Sequence, residues 1–186
     1  ATVDTHPTRD EIIIGGADGV PKLFRIFRIT KRVIGDNANL IRELAPLRGR
    51  VFGVDYSADG QRAVAGSSLD GTGDVIVYDT DVDTNAPADI KAILQKRVMS
   101  QSDAEKKKLA DYQKKPLPVV AKIEVNDSGI YAVRFTPDRK HIVAAGSDGK
   151  VRIYETESGK PTAEFVSVPL ETTTRQVAEV DYIRDV

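Results

Sequence analysis

The stretch KHIVAAGSDGKVRIYET, Lys140 to Thr156, decides the fold. Ile142-Val143-Ala144 is apolar on both faces, which suits a strand packed between two sheets. Gly146-Ser147 and then Asp148-Gly149 follow, and Asp-Gly between two apolar runs signals a hairpin because both residues tolerate positive φ. The outgoing run places Val151 and Ile153 on one face and Arg152 and Tyr154 on the other.

The pattern occurs three times. EIIIGGADGVPKLFRIF begins at Glu11 and turns at Asp18-Gly19. QRAVAGSSLDGTGDVIVYDT begins at Gln61 and turns at Asp70-Gly71. In that second copy Val75 and Val77 alternate with Ile76 and Tyr78, ahead of Asp79. A further strand precedes two of the hairpins, in VFGVDYSADG from Val51 and IYAVRFTPDR from Ile130. Asp59 and Asp138 sit in the turns that end those strands. A fourth strand follows each unit, at Leu40–Leu44, Val119–Ile123 and Thr162–Val166. The unit is therefore four antiparallel strands, and the first copy is expected to lack its first strand.

This pattern resembles the WD-repeat β-propellers, over roughly residues 8–170. The resemblance implies an all-β fold of four-stranded antiparallel blades, about three of them in an incomplete ring, with a helical insertion. The blades are read as about 8–47, 48–126 with an insertion at 81–115, and 127–170. Tyr78-Asp79 and Tyr154-Glu155 stand where the family has Trp-Asp, with Phe24-Arg25 in the most degenerate copy. The chain has no Trp, and Arg48-Gly49 and Asp127-Ser128 replace the family's Gly-His pair. Weaker cross-bracing of the blades is expected. Propellers usually close with four to eight blades, so three imply either a piece of a longer chain or self-association.

Spacing adds two insertions, because a plain WD unit runs about 40–45 residues. One is a polar loop at about Thr30–Asn39. The other, about Asp81–Lys115, contains Ser102 and Glu105 at capping-box spacing, and Ile90, Ile93, Leu94 and Val98 at helical spacing. One or two short helices are expected on a loop leaving one face. Residues 86–115 hold eight Lys or Arg and four Asp or Glu, a basic excursion.

A narrower resemblance is to bacterial proteins that fuse a WD-repeat propeller to a c-type cytochrome domain. It rests on THPTRDEIIIGGADGVPKLFRIFR, LRGRVFGVDYSADG and SSLDGTGDV, with Arg175–Val186 similar to the approach to that domain. It implies a linker at 171–186, a haem in a domain beyond this chain, and a periplasmic or other extracytoplasmic compartment. The start at Ala1 and the end at Val186 are read as cut.

Composition narrows the function classes. Lys and Arg number 27 and Asp and Glu 28, a net charge of −1, which argues against a dedicated nucleic-acid binder. There is no Cys, so disulfides, zinc thiolates, cysteine nucleophiles and covalent haem attachment are excluded within this chain. Two His, His6 and His141, exclude a multi-histidine metal centre; His6 is read as lying near a frayed terminus and His141 as a surface residue. No apolar run approaches the roughly 20 residues of a bilayer span.

Asp70 to Asp74 has acid spacing that calcium loops also use, but lacks their further carboxylates, so a turn is preferred. Gly15-Gly16 belongs to no phosphate-binding motif. Asp18, Gly19, Asp59, Asp70, Gly71, Tyr78, Asp79, Asp138, Asp148, Gly149 and Tyr154 are read as turn and blade residues. No catalytic, cofactor-binding or metal-binding residue is assigned. The expectation is a non-catalytic scaffold binding a protein or an adjacent domain, with self-association as one rival and a propeller enzyme as another.

Overall fold

The computed structural model describes residues 1–28 and 39–166. Almost all of the expected Thr30–Asn39 loop, the 171–186 linker and the Arg175–Val186 stretch lie outside the described residues. Among the described residues, twelve strands form three four-stranded antiparallel meanders. The first blade is β1 (Thr2–Thr5), β2 (Glu11–Gly15), β3 (Lys22–Arg25) and β4 (Leu40–Glu43). The second is β5 (Arg50–Tyr56), β6 (Arg62–Ser68), β7 (Gly73–Asp79) and β8 (Val119–Val125). The third is β9 (Ile130–Phe135), β10 (His141–Gly146), β11 (Lys150–Glu155) and β12 (Pro161–Val166). The blades meet chiefly along their first strands, β1 against β5 and β5 against β9, so these three are the inner strands of a fan.

The alternation in the second copy explains the packing. Ala63, Ala65, Ile76 and Tyr78 join Ile13, Leu23, Leu44 and Val51 in one core between the first and second blades. Val64, Val75 and Val77 join Ile130, Val133, Ile142 and Ala144 in another between the second and third. The middle blade is thus apolar on both faces because it is covered on both. Each buried aliphatic side chain contributes about 1.5–3 kcal/mol.

The first blade is not short of a strand. Thr2–Thr5 pairs with β2 through Thr2 to Gly15 and Thr5 to Ile12. Its four residues offer one large apolar side chain, Val3, so it carries no strand signal of its own. His6, likewise, is not frayed. It is buried at the end of β1. It occupies the turn position held by Ser57 after β5 and Thr136 after β9.

The insertion forms α1 (Ala88–Gln95) and α2 (Asp103–Gln113), joined by a single 3₁₀ turn at Val98–Ser100. Ser102 and Glu105 close a reciprocal capping box at the start of α2. The pair does not simply leave a face. Gln113 donates its side-chain amide to the Leu40 carbonyl at 3.1 Å, and the Arg42 guanidinium lies 3.6 Å over the Tyr112 ring. The insertion is therefore fastened to β4 of the first blade.

Candidate interaction surface

The turns come first, because they hold the strands in place. Asp70 and Gly71 both adopt positive φ, 47° and 79°, in the two-residue turn expected of Asp-Gly, closed by reciprocal bonds between Leu69 and Thr72. Gly19 and Gly149 reach φ 73° and 77°, while Asp18 and Asp148 use their carboxylates instead. Asp18 accepts the Val20 N–H at 3.3 Å and pairs with Lys22, whose hydrogen bond lowers the Asp18 pKa.

Asp59 and Asp138 each accept a hydroxyl, Ser57 Oγ at 2.7 Å and Thr136 Oγ1 at 2.5 Å, and a backbone N–H two residues on. Asp59 also meets Arg139 of the next blade. Burial pushes Asp59 up, but these donors outweigh it and its pKa falls. Tyr78 is fully buried and donates its hydroxyl to Ala45 O at 2.7 Å, while Asp79 accepts from Asp81 N–H and Arg62. Burial raises the pKa of Tyr78 and of Tyr154. All eleven residues belong to turns or strands; Asp59 and Asp138 line one open cleft between the second and third blades, and the other nine lie outside it.

Arginine–carboxylate pairs brace the second and third blades. In the second blade Asp74, 1% exposed, accepts Arg48 Nε at 2.8 Å and Arg48 N–H at 2.9 Å, and its own N–H donates to Ser67 Oγ. In the third, Arg152 grips Asp148 with both terminal nitrogens, and Ser128 donates to the same carboxylate at 3.1 Å. That Arg152 bond holds the Asp148 carboxyl well below the usual range. In both blades the brace is a fork-shaped arginine–carboxylate pair.

Carboxylates also tie blade to blade. Asp4 on β1 accepts the Tyr56 N–H at 2.7 Å, and Asp55 on β5 accepts the Phe135 N–H at 2.7 Å. Asp55 additionally pairs with Arg134; burial nevertheless raises its pKa. Between the first two blades, His6 Nδ1 accepts the N–H of Thr8 at 3.2 Å and Arg9 at 3.0 Å. The ring proton is then on Nε2, 3.2 Å from Gly60 O. Burial, then Arg9, lowers the His6 pKa and keeps the ring neutral. Gly60 has φ 72°, and a Cβ there would lie 2.3 Å from the His6 ring, so only glycine allows this contact.

On this scaffold one surface is unlike the rest. Phe52 on β5 and Tyr131 on β9 hold equivalent positions, and the blade packing brings their rings edge to face at 4.8 Å. The Arg50 guanidinium stands 5.4 Å over Phe52. Arg50 is in register with Ser68, and the next residue, Leu69, is 47% exposed. Phe52 is 37% and Tyr131 48% exposed, so two aromatic rings and a guanidinium form an open shelf on a rigid edge. Sequence reading missed it, because Phe52 and Tyr131 are 79 residues apart. Their equivalence in the VFGVDY and IYAVRF strands was the available signal.

Residues 118–155 match the family model described as WD domain, G-beta repeat. That span runs from the last strand of the second blade through β11 of the third. The chain is also 28% identical over 138 residues to actin-interacting protein 1 of Drosophila melanogaster, covering 69% of this chain and 22% of that protein. The aligned part is thus a little over a fifth of that relative's length. A WD repeat spans 118–155, set within an all-β array of four-stranded antiparallel blades.

Proposed function

We propose that this chain is a non-catalytic WD-repeat scaffold that binds a protein or an adjacent domain through the Arg50–Phe52–Tyr131 shelf. The single observation carrying the reading is the exposed, edge-to-face aromatic pair beneath a guanidinium. Aromatic residues and Arg dominate the energetics of protein interfaces, and rings already locked against each other lose little entropy on binding. Loops and edges on a rigid scaffold are where such contacts sit. The name of the fly relative makes actin the first purified protein to test.

The test is capture with the wild-type chain and with the Phe52→Ala/Tyr131→Ala variant, read by quantitative mass spectrometry. The proposal expects proteins retained by the wild type and lost with the variant. Identical retained sets would overturn it.

The finer proposal is that the scaffold serves a cytochrome c domain of the same polypeptide. What supports it is the resemblance over Arg175–Val186 and the N-terminal segments. Without cysteine this chain offers no thioether attachment, so the haem would belong to that other domain. Coding sequence past Val186 that lacks a Cys-x-x-Cys-His motif would sink this part.

A second reading is head-to-tail self-association. It is favoured by the two end faces. Ile12, Ile14 and Phe24 on the first blade, and Val143, Val151 and Ile153 on the third, are only half-buried, while their counterparts on the middle blade are covered. Sedimentation of a stable 20.3 kDa monomer would end that reading.

A further inference from the structure

The helical insertion is a second feature that the shelf does not absorb. Residues 86–115 hold eight basic and four acidic residues, against 27 and 28 in the whole chain, which leaves 19 and 24 elsewhere. A surplus of four positive charges is therefore concentrated on one protrusion of a chain that is otherwise net acidic.

Three of the basic residues are neutralised locally, in the pairs Lys96–Glu105, Lys106–Asp103 and Lys108–Asp89. Arg97, Lys107, Lys114 and Lys115 are exposed, and their side chains form no ion pair among the described residues. Lys107 and Lys114 are seven residues apart in or at the end of α2, hence on one side of it. The side carrying Leu109, Tyr112 and Gln113 is turned toward α1 and β4.

The protrusion is presented rigidly. Ile90, Ile93 and Ala86 form a small core of their own. Gln101 Nε2, buried, donates to Ile93 O at 3.0 Å and locks the connection between the helices. Arg25 donates to Thr84 O at 2.9 Å, so the root of the insertion is held to the first blade as well. At the tip of the 3₁₀ turn, beside Lys96 and Arg97, Met99 is 95% exposed. An unsupported thioether next to Arg97 is an adaptable apolar contact within a positive field.

We propose that this insertion is a docking surface for an acidic polypeptide segment, gripped by Arg97, Lys107, Lys114 and Lys115 and seated against Met99. Charge complementarity selects the occupant. A membrane surface fits less well, because the large apolar side chains of α1 turn inward and leave one exposed methionine, whereas interfacial helices bury an apolar face. A nucleic acid fits less well too, because Asp89, Asp103 and Asp111 interrupt the basic surface and the chain as a whole is not basic. The proposal is independent of the aromatic shelf, which lies on the inner strands.

The test uses the full 186-residue chain. Four forms are compared: wild type, Lys107→Glu/Lys114→Glu, Met99→Ser, and Lys140→Glu/Lys160→Glu, which matches the charge change of the first variant at exposed lysines elsewhere. Binding to a fluorescent oligo-glutamate peptide is read by anisotropy, and circular dichroism checks that each variant is folded. The expected result is salt-sensitive binding by the wild type and the Lys140/Lys160 variant, weakened at least about tenfold in the Lys107/Lys114 variant. Met99→Ser should weaken binding without altering its salt dependence. No binding by the wild type, equal weakening in both charge variants, or tighter binding to phosphatidylserine vesicles or a DNA duplex would overturn the proposal.

Discussion

The carboxylate of Asp55, on the inner strand of the second blade, accepts the backbone N–H of Phe135 in the third at 2.7 Å. Asp4 repeats the relationship one blade earlier, on Tyr56 at the same distance. The equivalent position in the third blade is Arg134, which reaches back to Asp55 rather than onward. The clasp therefore runs in one direction along the inner strands and stops at the third blade.

Asp55→Ala removes the acceptor for a backbone N–H and is expected to cost about 1–3 kcal/mol, read as a lower urea midpoint. Asp55→Asn retains an acceptor oxygen and should cost less. Arg134→Ala should cost under about 1 kcal/mol, because its side chain is 68% exposed and surface pairs contribute little. Equal losses for Asp55→Ala and Arg134→Ala would contradict the clasp.

Arg48 neutralises Asp74, which is 1% exposed. Arg48→Ala leaves a buried carboxylate unpaired, and Arg48→Ala/Asp74→Asn relieves it. The double variant should therefore melt above the single one. If the single variant melts higher, the arginine brace is not what holds the second blade.

His6 has a pKa below its ordinary 6.5 because it is buried beside Arg9. A base whose folded pKa is depressed binds its proton more readily when unfolded. The contact thus stabilises fully above pH 6.5 and is lost as pH falls through the folded value. Urea midpoints from pH 8 down to 5 should drop more steeply for the wild type than for His6→Asn. Parallel curves would count against a neutral His6 at the seam.

The Tyr56 hydroxyl is buried and has no hydrogen-bond partner among the described residues. Tyr56→Phe keeps the ring that meets His6 edge to face at 5.0 Å while removing the unpaired group. The variant should match the wild type or gain up to about 1–2 kcal/mol. A loss larger than that would mean the hydroxyl has a partner.

The local signals carried most of the fold. Asp70-Gly71 announced its hairpin, and the alternation of Val75 and Val77 with Ile76 and Tyr78 named both faces of the middle blade. Ser102 and Glu105 marked the start of α2. What escaped depends on partners remote in sequence. Thr2–Thr5 becomes a strand only because β2 pairs with it, and His6 is buried only because Gly60, 54 residues on, packs against it. Arg48 reads as an ordinary surface arginine until the fold brings Asp74 to it, 26 residues away. The shelf is the extreme case, since neither Phe52 nor Tyr131 has an aromatic partner until β5 and β9 lie side by side.

The shelf is the claim on which the function rests. The most direct measurement is the affinity of a purified captured protein, actin if it is retained, for the wild type and for Phe52→Ala/Tyr131→Ala. Both rings are partly exposed, so the variant should keep a urea midpoint close to that of the wild type. At matched stability, the account predicts affinity weakened by at least about tenfold, a difference of about 1.4 kcal/mol. Equal affinities would contradict it and move the binding site elsewhere on the scaffold.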